Sequence, residues 1–183
     1  MELKNILIHE YFTTADRQPY DYLFKYSESS KDVFKLGDLI NRPFGAVKDF
    51  QFKMNQGITI SDLIDFIVLL TGQTIKQVCN YKITDLIHCN GYVKNQIEFI
   101  NSLEETNLIS PYDPIADEAD VSRFNKFGYI VQLDSLAGGD LTKYEGIRAM
   151  PYIDCFTKLL LEKERAEFME QVNKIRTKRY GKV

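Results

Sequence analysis

The sequence predicts a mainly α-helical protein of the α+β kind, a helical domain with a small β-rich N-terminal segment. Two observations carry that expectation. Residues 57–105 and 121–175 repeat apolar side chains at the three-and-four spacing of a helix face, bounded by helix starts and stops. By contrast, the first 52 positions hold ten aromatic residues and the alternating run YDYLFKY, which reads as strand because successive strand side chains face opposite ways. The expected organisation is an aromatic, β-rich segment or arm over 1–56, a central helical unit over 57–106, an acidic proline-containing linker over 107–120, and a C-terminal helical unit with a basic tail over 121–183.

In the first segment, residues 6–13 and 20–26 are expected to pair as a hairpin, with polar breaks at 16–19 and 27–31. Residues 32–40 read as a helical turn or a third strand, Asn41-Arg42-Pro43-Phe44-Gly45 reads as a turn, and Phe50 to Met54 alternates again. A two-stranded ribbon is marginal in water and cannot hide that many aromatic rings, so a partner should cover it. The expected partner-binding residues are therefore Tyr11, Phe12, Tyr20, Tyr22, Phe24 and Tyr26.

The central unit is read from GITISDLIDFIVLLTGQTIKQVCNYKITDLIHCNGYVKNQIEFINSLEE. Thr59 and Ser61 precede an apolar run and can cap a first helical turn, with Asp62 adding a favourable charge there. Leu63, Ile64, Ile67, Val68 and Leu70 share a face, and Gly72 supplies a left-handed stop. A short helix follows with Ile75 and Val78 inward. A third, from about residue 83, carries Ile83, Leu86, Ile87, Val93, Ile97, Ile100 and Leu103, with Asn90 and Gly91 predicting a kink or a close helix contact.

Beyond the linker NLISPYDPIADEAD, residues 121–136 resume a helical pattern with Phe124, Phe127, Ile130, Val131 and Leu133 inward, ending at Gly138-Gly139. Asp140 and Thr142 offer caps for a short helix before Pro151, which suits the first turn of the last helix. That helix shows Ile153, Phe156, Leu159, Leu160, Phe168, Val172 and Ile175 at helical spacing. Its tail, KIRTKRYGKV, has five basic residues and no acid. Lys178 and Arg179 are thus further candidates for partner contact.

The totals narrow the classes. A chain of 183 residues, 44% hydrophobic and 27% charged, is long enough for a core, and a net charge of −3 argues against nucleic acid as the main partner. Five positives in the tail suit a solvated helix end as well as phosphate contact. Cys79, Cys89 and Cys155 lie in apolar patterns without a CxxC pair, which favours reduced buried thiols. The opening MELKNILIHE fits neither a secretory leader nor a transit peptide, and no apolar run reaches membrane-spanning length.

No catalytic, cofactor or metal site is legible. Asp85, His88 and Cys89 come from one helix and lack zinc-site spacing. Gly138-Gly139-Asp140 lacks the lysine and hydroxyl of a phosphate loop, and the acids of 107–120 sit in a polar stretch where nothing would raise a carboxylate pKa.

Two stretches resemble small assembly proteins of tailed bacteriophages. The segment quoted for the central unit resembles the helix, LTG-type break, short helix and long helix of tail assembly chaperones. FGYIVQLDSLAGGDLTKYEGIRAMPYIDCFTKLLLEKERAEF is similar to a C-terminal pattern of related phage proteins, a helix ending in a Gly-Asp turn before a short helix and a proline. The resemblance implies a non-enzymatic protein that binds other tail or virion proteins, or further copies of itself, in the host cytoplasm. It brings no catalytic residues. The 56-residue segment in front departs from a minimal chaperone and keeps a permanent subunit of the tail, neck or baseplate as the alternative. A small enzyme whose site assembles from residues distant in sequence is the alternative from another class.

Overall fold

Helix punctuation decides where this chain turns. The computed structural model describes residues 6–13, 31–109 and 118–181, with the side chains of Phe12 and Thr13 outside that description. The helices are α1 (Ile8–Thr13), α2 (Phe44–Gln56), α3 (Ile60–Thr71), α4 (Ile75–Val78), α5 (Ile83–Asn107), α6 (Ile130–Ala137), α7 (Tyr144–Ala149) and α8 (Tyr152–Tyr180). Single 3-10 segments occupy Leu39–Asn41, Val121–Phe127 and Leu141–Lys143.

The capping residues explain the boundaries. At α3, the Thr59 hydroxyl accepts from the Asp62 N–H while the Asp62 carboxylate accepts from the Thr59 N–H at 3.1 Å, a reciprocal capping box. Thr74 and Gln77 repeat the device at α4. Gly72 and Gly138 end α3 and α6 in the left-handed conformation at φ 69° and 62°, where a side chain would strain the backbone. The carbonyls of Asn107 and Ile109, at and just past the end of α5, accept from the Lys163 ammonium at 2.8 and 3.1 Å. A cation therefore satisfies the negative end of that helix dipole from a neighbouring helix.

The β-rich N-terminus is the main correction. Among the described residues there is no sheet, only two isolated antiparallel bridges, Leu7 with Lys82 and Pro43 with Pro151. Where a strand was expected over 6–13, the Glu10 carboxylate accepts from the Leu7 N–H at 2.8 Å, as in half a capping box, and α1 starts there. Ile8 and Tyr11, three apart, are then buried on one side. The expected partner strand, 20–26, lies outside the described residues. Residues 32–40 form neither full alternative: the Asp32 carboxylate gathers the N–H groups of Leu36 and Gly37 at 2.6 and 2.8 Å, and a 3-10 segment follows. The alternation at 50–54 sits inside α2, where Phe44, Val47 and Phe50 are buried at helical spacing and Phe52 is exposed. A three-residue spacing that begins at a proline and ends at a glycine outweighs a two-residue spacing seen over only five positions.

One hydrophobic cluster joins Ile6, Tyr11, Leu36, Phe44 and Phe50 to the buried faces of α3, α5, α6 and α8. The described part of residues 1–56 thus belongs to the same core as the central helices. Ile64, Ile67, Leu86, Ile97 and Ile100 are buried as expected, and Ile87 and Val68 are half-buried. The helix α5 runs through the buried Gly91 without a break. Seven expected inward positions, in three places, face out instead. Ile75 is exposed on α4, Phe124, Phe127, Ile130 and Val131 are exposed around the start of α6 although Leu133 is buried, and Phe168 and Ile175 are exposed on α8.

Two outcomes follow for stability. Ile97, 2% exposed at the centre of α5, leaves a cavity when cut to alanine, so Ile97→Ala should cost about 2–5 kcal/mol in urea denaturation. Deleting residues 1–56 strips Phe44, Val47 and Phe50 from the shared core, and the remainder should lose its cooperative unfolding transition by circular dichroism. A cooperative melt of the truncated chain would show that the central and C-terminal helices suffice.

Candidate functional site

The inward stripe of α5 ends on a charge. Val93, Ile97 and Ile100 are followed one turn later by Glu104, which the helix aims at α2 and α8. Its Oε1 accepts from the Lys48 ammonium at 2.5 Å and from the Tyr152 hydroxyl at 2.5 Å, and its Oε2 accepts from the Gln51 amide at 3.2 Å. Gln51 also donates to Asn101. Lys48 is 5% exposed and lies about 6 Å from the ring centres of both Phe44 and Tyr152, which face its positive charge with their electron-rich surfaces. Burial lowers the Lys48 pKa from lysine's ordinary value, opposed by the Glu104 carboxylate. Burial, and then Glu104, raise the Tyr152 pKa, so its hydroxyl stays a donor.

A second polar cluster sits one residue along α2. Arg148 of α7 donates to Asp49 at 2.8 Å and to the Tyr129 hydroxyl, and Tyr129 donates to the other Asp49 oxygen at 2.6 Å. The approach is close: a Cβ on Gly45 would stand 2.9 Å from the Arg148 Cβ, so only glycine fits without a shift of α7. Burial and the Asp49 hydrogen bond push the Tyr129 pKa up to about 12, with Arg148 opposing.

Between α2 and α3 lies a groove of about 390 Å³, with Phe50 stacked on Phe66 at 3.9 Å as part of its wall. Asp49, Asp62, Asp65 and Lys53 also line it. Lys53 and Thr59 hold the Asp62 carboxyl at about 2, and its oxygens already accept from both residues. Burial pushes the Cys89 and Cys155 thiols up to about 12 and 11, well into the protonated range at neutral pH. Among the described residues, no group of three or more His, Cys, Asp or Glu is placed to hold a metal ion, and no helix is long and apolar enough to cross a membrane.

Part of the exposed surface is apolar. Val121, Phe124, Phe127, Ile130 and Val131 are between 40% and 53% exposed within eleven consecutive positions. Of the sequence-derived candidates, Tyr11 is 1% exposed, so its ring belongs to the chain's own core and is closed to a partner. The Phe12 side chain, Tyr20, Tyr22, Phe24 and Tyr26 lie outside the described residues. Lys178 and Arg179 are exposed in the last turn of α8. The Lys48–Glu104–Tyr152 and Asp49–Arg148–Tyr129 clusters were missed by sequence reasoning. One signal for the first was present: Glu104 continues the apolar stripe of α5 in register.

Comparison with protein-family models, with curated proteins and with solved structures finds no match.

Two measurements test the clusters. Lys48→Ala leaves the Glu104 carboxylate without its cation in a largely buried setting and should destabilise the protein by about 3–5 kcal/mol in urea denaturation. Tyr129 has a folded-state pKa above its unfolded value of about 10, so its contribution is full below that pH and fades as pH rises toward about 12. Tyr129→Phe should therefore show a shallower loss of stability than the parent between those two values.

Proposed function

We propose that this chain is a non-enzymatic protein–protein interaction component of bacteriophage tail or particle assembly, similar in role to the tail assembly chaperones. The observation that carries the interaction reading is the exposed run from Val121 to Val131, five large apolar side chains on one short 3-10 segment and the first turn of α6. Apolar side chains massed on one surface mark a place that another protein covers, and paired aromatic residues are the usual anchors of such contacts. The phage setting rests on the two stretches of resemblance. They correspond here to the succession α3, Gly72, α4, α5 and to the Gly138-Gly139-Asp140 turn between α6 and α7.

The direct test is co-elution of the full chain with purified tail tube, tape-measure and baseplate proteins of a phage that encodes it. Phe124→Asp with Phe127→Asp should weaken the complex at least about thirtyfold, as loss of a hot-spot pair does, while the circular dichroism of the free chain stays unchanged. Unaltered binding by the double variant would move the contact elsewhere. Failure of every tail and virion protein to bind would remove the phage reading. Stoichiometric recovery of the chain in purified particles would favour a permanent virion subunit over a transient chaperone.

A further inference from the structure

We propose that the distal half of α8 pairs antiparallel with the same helix of a second copy of this chain. The proposal uses a different surface from the run at 121–131 and does not depend on the phage setting.

The helix α8 is 29 residues long, about 43 Å at 1.5 Å per residue, yet its buried residues are confined to Tyr152, Cys155 and Phe156. Among the described residues, its last hydrogen bonds to other elements are the one Glu162 accepts from the Ser135 hydroxyl and those Lys163 donates to the carbonyls of Asn107 and Ile109. Beyond that point, among the described residues, its side-chain bonds lie within the helix, as in Glu170 with Lys174 and Thr177 with the Asn173 carbonyl. Along residues 161–180 the helix nevertheless keeps an apolar stripe. Leu161, Phe168, Val172 and Ile175 recur at seven, four and three residues, the seam of a coiled coil, with Arg165 and Arg179 in the same register. Leu161, Phe168 and Ile175 are 44%, 63% and 51% exposed.

Charge selects the occupant and its direction. Residues 162–170 carry four glutamates against Lys163 and Arg165, whereas 171–180 carry Lys174, Arg176, Lys178 and Arg179 and no acid. A parallel pair would set basic half against basic half and Arg165 against its own copy. An antiparallel pair sets acidic half against basic half twice over.

The register follows from the stripe. Centring the pair on residue 170 places Phe168 against Val172 of the second copy, Arg165 against its Ile175, and Leu161 against the alkyl stem of its Arg179. In the flanking positions, Glu162 then meets Arg176 and Glu164 meets Lys178. The overlap spans 161–179 on both copies. It therefore begins beside the last bonds of α8 to the body, at Glu162 and Lys163, and stops one residue before the helix ends. The arginine heads reach the solvent edge while their stems cover the seam.

Sedimentation equilibrium of the full chain over a concentration series tests the pairing. The expected result is a reversible dimer, reduced to a monomer by Phe168→Glu with Val172→Glu. Both changes lie on exposed or half-exposed positions, and circular dichroism verifies that the fold survives. Arg176→Glu with Lys178→Glu should raise the dissociation constant about tenfold or more, and mixing that variant with Glu162→Lys plus Glu164→Lys should restore a mixed dimer. Direction is read by mild oxidation: Gln171→Cys, beside its own copy at the centre, should cross-link to itself, and Glu164→Cys should not. A monomeric parent at all concentrations, a dimer untouched by the Phe168 and Val172 changes, or self-cross-linking through Glu164→Cys would each overturn the proposal.

Discussion

Glu104 accepts from Lys48 of α2 and Tyr152 of α8 through one oxygen and from Gln51 through the other, so a single carboxylate joins three helices that are distant in sequence. Removing a lysine and a carboxylate from water is costly, and the pair is tolerable because each partner also finds further donors or aromatic faces. A buried ammonium must meet its carboxylate, which favours the packing of α2, α5 and α8 that brings Lys48, Glu104 and Tyr152 together.

The same three-helix junction is pinned from the backbone. Pro43 and Pro151 precede α2 and α8, and the two chain segments pass antiparallel at that point. The Phe44 N–H donates to the Met150 carbonyl at 2.7 Å and the Tyr152 N–H to the Arg42 carbonyl at 2.8 Å. Two helix starts thereby satisfy each other's free donors instead of using side-chain caps. Proline is suited to this place because its missing N–H has no partner to lose. The consequence is that Phe44 and Tyr152 enter the core side by side, stacked at 6.0 Å, and bracket Lys48.

Away from that junction, two exposed apolar stretches differ in character. The run at 121–131 is compact and rich in aromatic residues on a short 3-10 segment, a form suited to a pocket or groove on another protein. The distal half of α8 is linear and charge-polarised, a form suited to another helix. An isolated helix of that length gains little from intrinsic propensity alone, so its stripe has a role only once something lies along it.

How much of this was legible depends on the range of the forces involved. Thr59 with Asp62, Gly72, Gly138 and Pro151 act on their own or adjacent turns, and the start and stop of α3, the stop of α6 and the start of α8 fall close to where those residues predict. The α5 stripe was legible too, because one face of a long helix repeats in sequence whatever it packs on. Tertiary structure decided what local pattern left open. Five alternating residues at 50–54 satisfied strand periodicity, but burial of Phe44, Val47 and Phe50 on one side made them helix. Aromatic residues read as partner surface include Tyr11, which the chain's own core took. The apolar positions around residues 124–131 and 168–175 carry the same helical spacing as buried ones, and no sequence periodicity tells which face the rest of the molecule covers. Glu104 was legible as a residue in register and illegible as a junction, because Lys48 and Tyr152 are brought to it only when α2 and α8 close over the end of α5.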